Sequence, residues 1–174
     1  MKKTFSLLDK NITNPNFKMI IDLCFEKSSY ISFTKYYGSI ESEQSKNFYF
    51  EINNYLVSKI KTTHWYCYYM LDDSRPLEVS VYKADQKVKD ILLNTFNNIF
   101  LIGNKKPRIA EDLCFFSNDE LLLGTVSHER ACHIFPQNNQ TLNSFLNIAN
   151  WEETEFLEKE LIKINAYNQS LHLE

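Results

Sequence analysis

The chain has 174 residues, 44% of them apolar and 24% charged, the composition of a globular protein long enough to bury most of the surface its unfolded form would expose. A formal net charge of -3 and a pI near 5.8 argue against the concentrated basic surface that marks nucleic-acid binders. Only 3 Gly and 4 Pro leave little scope for linkers or phosphate-cradling loops, whereas 13 Phe and 10 Tyr supply rings for a core and for interfaces.

In chain order, Lys2 and Lys3 imitate the basic start of a signal peptide, but Phe5, Ser6, Leu7 and Leu8 are cut short by Asp9 and Lys10. No stretch approaches the roughly 18 apolar residues of a membrane span, so a cytoplasmic protein without a membrane partner is expected. Phe17, Ile20, Ile21, Cys24 and Phe25 follow Asn14-Pro15-Asn16 at helical steps and predict a helix of about three turns. Residues 29–37, aromatic and β-branched before Gly38, predict a strand. Residues 39–46 read as a loop running into a helix, because Phe48, Ile52, Tyr55, Leu56, Lys59 and Ile60 share one helical face, with an end at Thr62 and Thr63.

The run 64–71 is continuously aromatic and apolar, and the turn-forming residues 72–76 separate it from Leu77, Val79 and Val81 in alternation. That pattern predicts a β-hairpin whose first strand is central, with His64, Tyr66, Tyr68 and Met70 on one face and Trp65, Cys67, Tyr69 and Leu71 on the other. Val88, Ile91, Leu92, Thr95, Phe96 and Ile99 give a helical stripe capped by Asp85 and stopped by Gly103. Residues 112–116 and 120–127 read as a second hairpin joined by Ser117, Asn118 and Asp119, and residues 130–135 as a further strand ended by Pro136. Leu142, Phe145, Leu146 and Ala149 mark a short helix, and Phe156, Leu157, Leu161 and Ile164 a last, acidic one. The expected fold is α+β: a single domain over residues 1–172 with one mainly antiparallel sheet built from hairpins and helices packed on it. Leu173 and Glu174 are set aside as a candidate expression scar.

Chemistry concentrates in residues 127–133. His128 and His133 stand five apart, a step that rotates the second ring by roughly 140° on a helix and sends it to the opposite face on a strand. Neither geometry converges on an ion, and no metal or other cofactor is expected. Cys132, flanked by Ala131 and an apolar strand-like stretch, reads as a buried thiol, as do Cys24, Cys67 and Cys114. Glu111 and Asp112 are neighbours and would point to opposite sides of a strand. The alternative is a small hydrolase or metal-dependent enzyme using His128, Glu129, Cys132 and His133; a homo-oligomeric scaffold is a third reading.

Residues 107–116 followed by 124–129, with Glu111, Asp112, Phe115, Phe116 and then Gly124, Ser127, His128 and Glu129, resemble a segment of small bacterial immunity-type proteins, which neutralise toxins delivered between competing cells. The resemblance spans about a sixth of the chain. It implies a non-enzymatic inhibitor that binds a cognate toxin domain, and an acidic surface would suit a basic toxin. The residues expected to bind such a protein partner are Glu152, Glu153, Glu155 and Glu158, as a steering surface, with Tyr66 and Tyr68 as anchors. No nucleic acid partner is expected, and the oligomeric state is left open.

Overall fold

The computed structural model describes residues 3–36, 38–69, 74–101, 108–155 and 164. Strand β1 (Thr4–Leu7) precedes helix α1 (Asn16–Lys27), strand β2 (Tyr30–Lys35) and helix α2 (Glu43–Ile52). A 3-10 turn over Asn53–Tyr55 leads into β3 (Leu56–Thr62), the short strands β4 (His64–Trp65) and β5 (Tyr68–Tyr69), and β6 (Leu77–Lys83). Then follow α3 (Gln86–Thr95), β7 (Glu111–Ser117), β8 (Glu120–Val126), β9 (Ala131–Ile134), α4 (Asn139–Leu146) and β10 (Trp151–Thr154). Eight strands form one sheet in the order β10-β1-β9-β8-β7-β2-β6-β3, every neighbouring pair antiparallel, while β4 and β5 form a separate ribbon. The fold is α+β, with helices on an antiparallel sheet.

Period-two side chains give the sheet two different faces. On the front, Phe5, Leu7, Ile31, Phe33, Leu113, Phe115, Leu123, Cys132 and Ile134 pack under the buried stripes of α1 to α4. Phe33 touches the rings of Phe48, Tyr49 and Tyr82, all edge-on at 5.3–6.2 Å. On the back, Val79, Val81, Cys114, Phe116, Leu121 and Val126 form a smaller core under Trp65 and Tyr66 of the ribbon, joined by Ile164.

Local chemistry accounts for several boundaries. Asp85 caps α3 by accepting from the Lys87 N–H at 2.8 Å, as its sequence position predicts. Ser42 and Asn138 cap α2 and α4 in the same way. Asn118 and Asp119 both adopt positive φ, 47° and 66°, the conformation a two-residue hairpin turn requires.

Four expectations need correction. The helix predicted through Ile60 stops at Ile52, and β3 takes over: Leu56 to Thr62 is β-branched and alternating, and pairing with β6 satisfies a backbone that Asn53 and Asn54 hold poorly in a helix. Of the strand predicted over 64–71, residues 64–69 form the β4/β5 ribbon instead, and residues 70 and 71 lie outside the described residues. The ribbon turns at Tyr66 and Cys67, with Cys67 at φ 53°, and pairs with itself and not with β6, which lies between β2 and β3. Helix α3 ends at Thr95, although the apolar stripe continues into the buried Phe96 and Ile99; Gly103, the expected stop, lies outside the described residues. Finally, Trp151 to Thr154 is an edge strand paired with β1, a strand that the short apolar stretch near the start had not suggested. The expected last helix lies outside the described residues except at Ile164, which is buried.

Candidate functional site

The back of the sheet collects the side chains with chemistry. Opposed residues in an antiparallel ladder share a face, so the register Glu152–Ser6–His133–Gly124–Cys114–Ser32 is one row across six strands on the ribbon's side. The ribbon lies over the middle of this row because Gly124 has no side chain there. A Cβ at position 124 would sit 2.7 Å from the Tyr66 ring, closer than carbon atoms can approach. With the ring seated on that glycine, the Tyr66 hydroxyl and His133 Nδ1 meet at 2.6 Å. Burial drives the two groups toward neutrality: it raises the Tyr66 pKa well above its ordinary value and, together with the nearby Lys10 charge, lowers that of His133. The contact is therefore one between a neutral phenol and a neutral imidazole, with donor and acceptor set by the imidazole tautomer.

At the other end of the ribbon is a second polar pin. Asp112 occupies a bulge in β7 with φ 52° and is 5% exposed. Its Oδ2 accepts from Thr34 Oγ1 at 2.9 Å and from the Tyr36 hydroxyl at 2.6 Å, and its Oδ1 from the Ser127 N–H at 2.7 Å. The Asp112 N–H donates back to Ser127 Oγ at 2.8 Å. This reciprocal pair locks the start of β7 to the turn carrying His128. Burial, and then the Asp112 charge, push the Tyr36 hydroxyl far above its usual pKa, so it remains a donor. The Tyr36 ring meets those of Tyr68 at 5.8 Å and His128 at 5.9 Å, and across the ribbon His64 meets Tyr69 at 6.0 Å. Tyr69 is 69% exposed. The outcome is a set of rings at or near the surface, of which Tyr36 and Tyr68 are anchored through their hydroxyls.

The residues expected from sequence fall into separate places. Tyr66 is buried and acts as a support; Tyr68 is half-buried, and its hydroxyl donates to the Arg75 carbonyl at 2.9 Å. They do not share a face in the alternation expected, because the turn at Cys67 intervenes and Trp65 stands opposite Tyr68. Glu152, Glu153 and Glu155 are exposed at the β10 edge, not on a helix, so the helix dipole plays no part in their placement. Glu152 points to the ribbon's side of the sheet. Glu153 lies opposite Phe5 on the helical side and pairs with Lys3 at 2.8 Å. Glu158 lies outside the described residues.

The group at 127–133 is dispersed. His128 stands against Tyr36 with Glu129 at 3.7 Å, whereas His133 meets Tyr66 from β9. Cys132 faces the front core, where burial raises its pKa and keeps the thiol protonated. Cys24 and Cys114 are also buried, but Cys67 is exposed at the ribbon's turn, which corrects the expectation of four core thiols. Glu111 pairs with Arg108 while Asp112 forms the pin, so the two acids act separately. Among the described residues no group of three or more His, Cys, Asp or Glu side chains could hold a metal ion, and no helix is long and apolar enough to cross a membrane. No protein-family model matches the chain, and no curated protein or solved structure matches it either.

Tyr36, Asp112 and Gly124 were not anticipated as parts of one site. A lone glycine within the apolar run 121–126 was the available signal, since glycine inside a strand marks a close approach of another group.

Proposed function

We propose that the protein is a non-enzymatic binding protein, an immunity-like inhibitor of bacterial type that neutralises a cognate toxin domain by forming a tight complex. The observation that carries this reading is the outward pair of Tyr69, 69% exposed, and His64, on a ribbon whose inner side is held through Tyr66 and Tyr68. Tyrosine offers large contact area at low conformational cost, and pinning in advance reduces what binding must spend on ordering. Glu152 projects to the same side, two strands from His133 and so about 10 Å away at the usual strand spacing. A carboxylate on the ribbon's side of the sheet attracts a basic partner and accelerates its encounter. Catalysis finds less support, because the thiol and the two imidazoles of 127–133 sit in three different environments.

The test is protection. Cells producing a toxin domain encoded beside this chain's gene should survive when the chain is co-produced. The purified pair should form a complex that Tyr69→Ala weakens at least tenfold, the size expected of an interface anchor. Loss of Glu152 should slow association at low salt and leave dissociation nearly unchanged. Absence of both protection and complex would overturn the proposal.

A further inference from the structure

On the helical side of the sheet, away from the ribbon, lies an open groove of about 540 Å³ between the end of β2, the start of α2 and the residues that lead into β7. Its apolar surface comes from Tyr49, Ile109, Ala110 and the 83% exposed Ile40. Two ion pairs flank it. Lys35 Nζ meets Glu41 Oε1 at 2.8 Å, and Arg108 pairs with Glu111. Each charge uses only part of its bonding capacity: a guanidinium has five N–H donors and a carboxylate two oxygens, and among the described residues each of the four groups makes a single side-chain contact. The Arg108 and Glu111 side chains are 25% and 19% exposed, so their unused donors and acceptors sit where water competes weakly. The Tyr49 hydroxyl, pushed up in pKa by burial, makes no hydrogen bond among the described residues. The groove thus combines apolar walls, both signs of charge in equal number and a phenolic hydroxyl.

We propose that this groove binds a small zwitterion with an apolar side chain, of the free amino acid or dipeptide class. The carboxylate is received by Arg108 or Lys35, the ammonium by Glu41 or Glu111, and the side chain by Ile40, Tyr49 and Ile109. A ligand carrying one charge would engage only one sign of these pairs, and a basic peptide segment would meet two cations. The site is independent of the toxin-binding reading, since none of its residues belongs to the ring surface.

Calorimetric titration of the full chain with phenylalanine, leucine and leucyl-leucine tests it. N-acetylphenylalanine amide, which keeps the side chain and loses both charges, and phenylpropionate, which keeps only the carboxylate, serve as controls. Saturable binding of at least one zwitterion, weakened about tenfold or more by removal of either charge, is expected from the strength of charge-assisted hydrogen bonds. Arg108→Gln and Glu41→Gln should each weaken it by a similar factor. Ile40→Ala changes an exposed residue and cannot unfold the chain; it should weaken leucyl-leucine and leave glycine unaffected. No saturable heat with any zwitterion, equal binding of the neutral amide, or indifference to all three substitutions would overturn the proposal.

Discussion

The two faces of the sheet are closed by different means. Helices α1 to α4 cover the front, and its rings interlock: Phe33 with Phe48 and Tyr82, Phe25 with Phe115, Phe145 with Trp151. A ribbon of two-residue strands and Ile164 cover the back, where the Tyr66–His133 hydrogen bond holds the cap at one end and, at the other, Tyr68 meets the ring of Tyr36, itself bonded to Asp112. A helix can bury a wide stripe and needs little directional bonding to the sheet. A ribbon so short covers too little area to be stable by itself, and its position must be defined by polar contacts and by the absence of a side chain at Gly124. The contrast teaches that the front face holds the larger apolar core while the back face depends on polar contacts to place its cap.

The largest test of this contrast is Phe33→Ala, which empties the centre of the front core. It should cost about 3–5 kcal/mol in urea unfolding with an unchanged denaturant slope; a loss below about 1 kcal/mol would show that the front is not the dominant core. Next comes Asp112→Ala, which leaves the Thr34 and Tyr36 hydroxyls and the Ser127 N–H without their acceptor, at about 2–3 kcal/mol. It should also loosen His128 and Tyr68, seen as lost hydrogen-exchange protection around residue 127.

Gly124→Ala separates the faces more sharply. The added carbon meets a ring anchored by His133, and overpacking of this kind costs about 1–3 kcal/mol. Thiol labelling then reports where: Cys114 lies under the ribbon and should react faster, Cys24 lies on the buried face of α1 in the front core and should not, and exposed Cys67 serves as the fast reference. Equal acceleration of Cys24 and Cys114 would mean that the two faces open as one unit.

The smallest effect is a pH dependence. Burial, and then Lys10, hold the folded-state pKa of His133 below its ordinary 6.5. The unfolded chain therefore binds a proton that the folded chain refuses, and stability falls as pH drops from about 6.5 through the lowered value. His133→Gln should flatten the stability curve between pH 5 and 7 relative to the parent, measured by urea midpoints; identical curves would remove His133 from the account.

Some of this was legible without coordinates, and particular residues show why. Asp85 before a helical stripe, and Asn118 and Asp119 between two apolar runs, act within a few residues of themselves, so α3's cap and the β7/β8 turn could be read directly. The run 52–62 could not, because Leu56 and Ile60 fit a helical stripe as well as Val57, Lys59 and Lys61 fit the outer side of an edge strand. The decision came from β6, twenty residues on, offering its free edge. The Glu-rich stretch failed similarly: Trp151 and Glu153 became strand by pairing with Leu7 and Phe5, nearly 150 positions away.

What the sequence determined by itself was the α+β class, the helix stripes of α1 and α3, the hairpin of β7 and β8, and the burial of Cys132. Each follows from local periodicity or from bonds between near neighbours. Tertiary structure alone decided that Tyr66 rests on Gly124, that Asp112 joins Tyr36 to Ser127, and that the ribbon stands apart from the sheet. Those contacts link residues 15 to 76 positions apart, and no periodicity encodes a distance that only the packing of two faces can close.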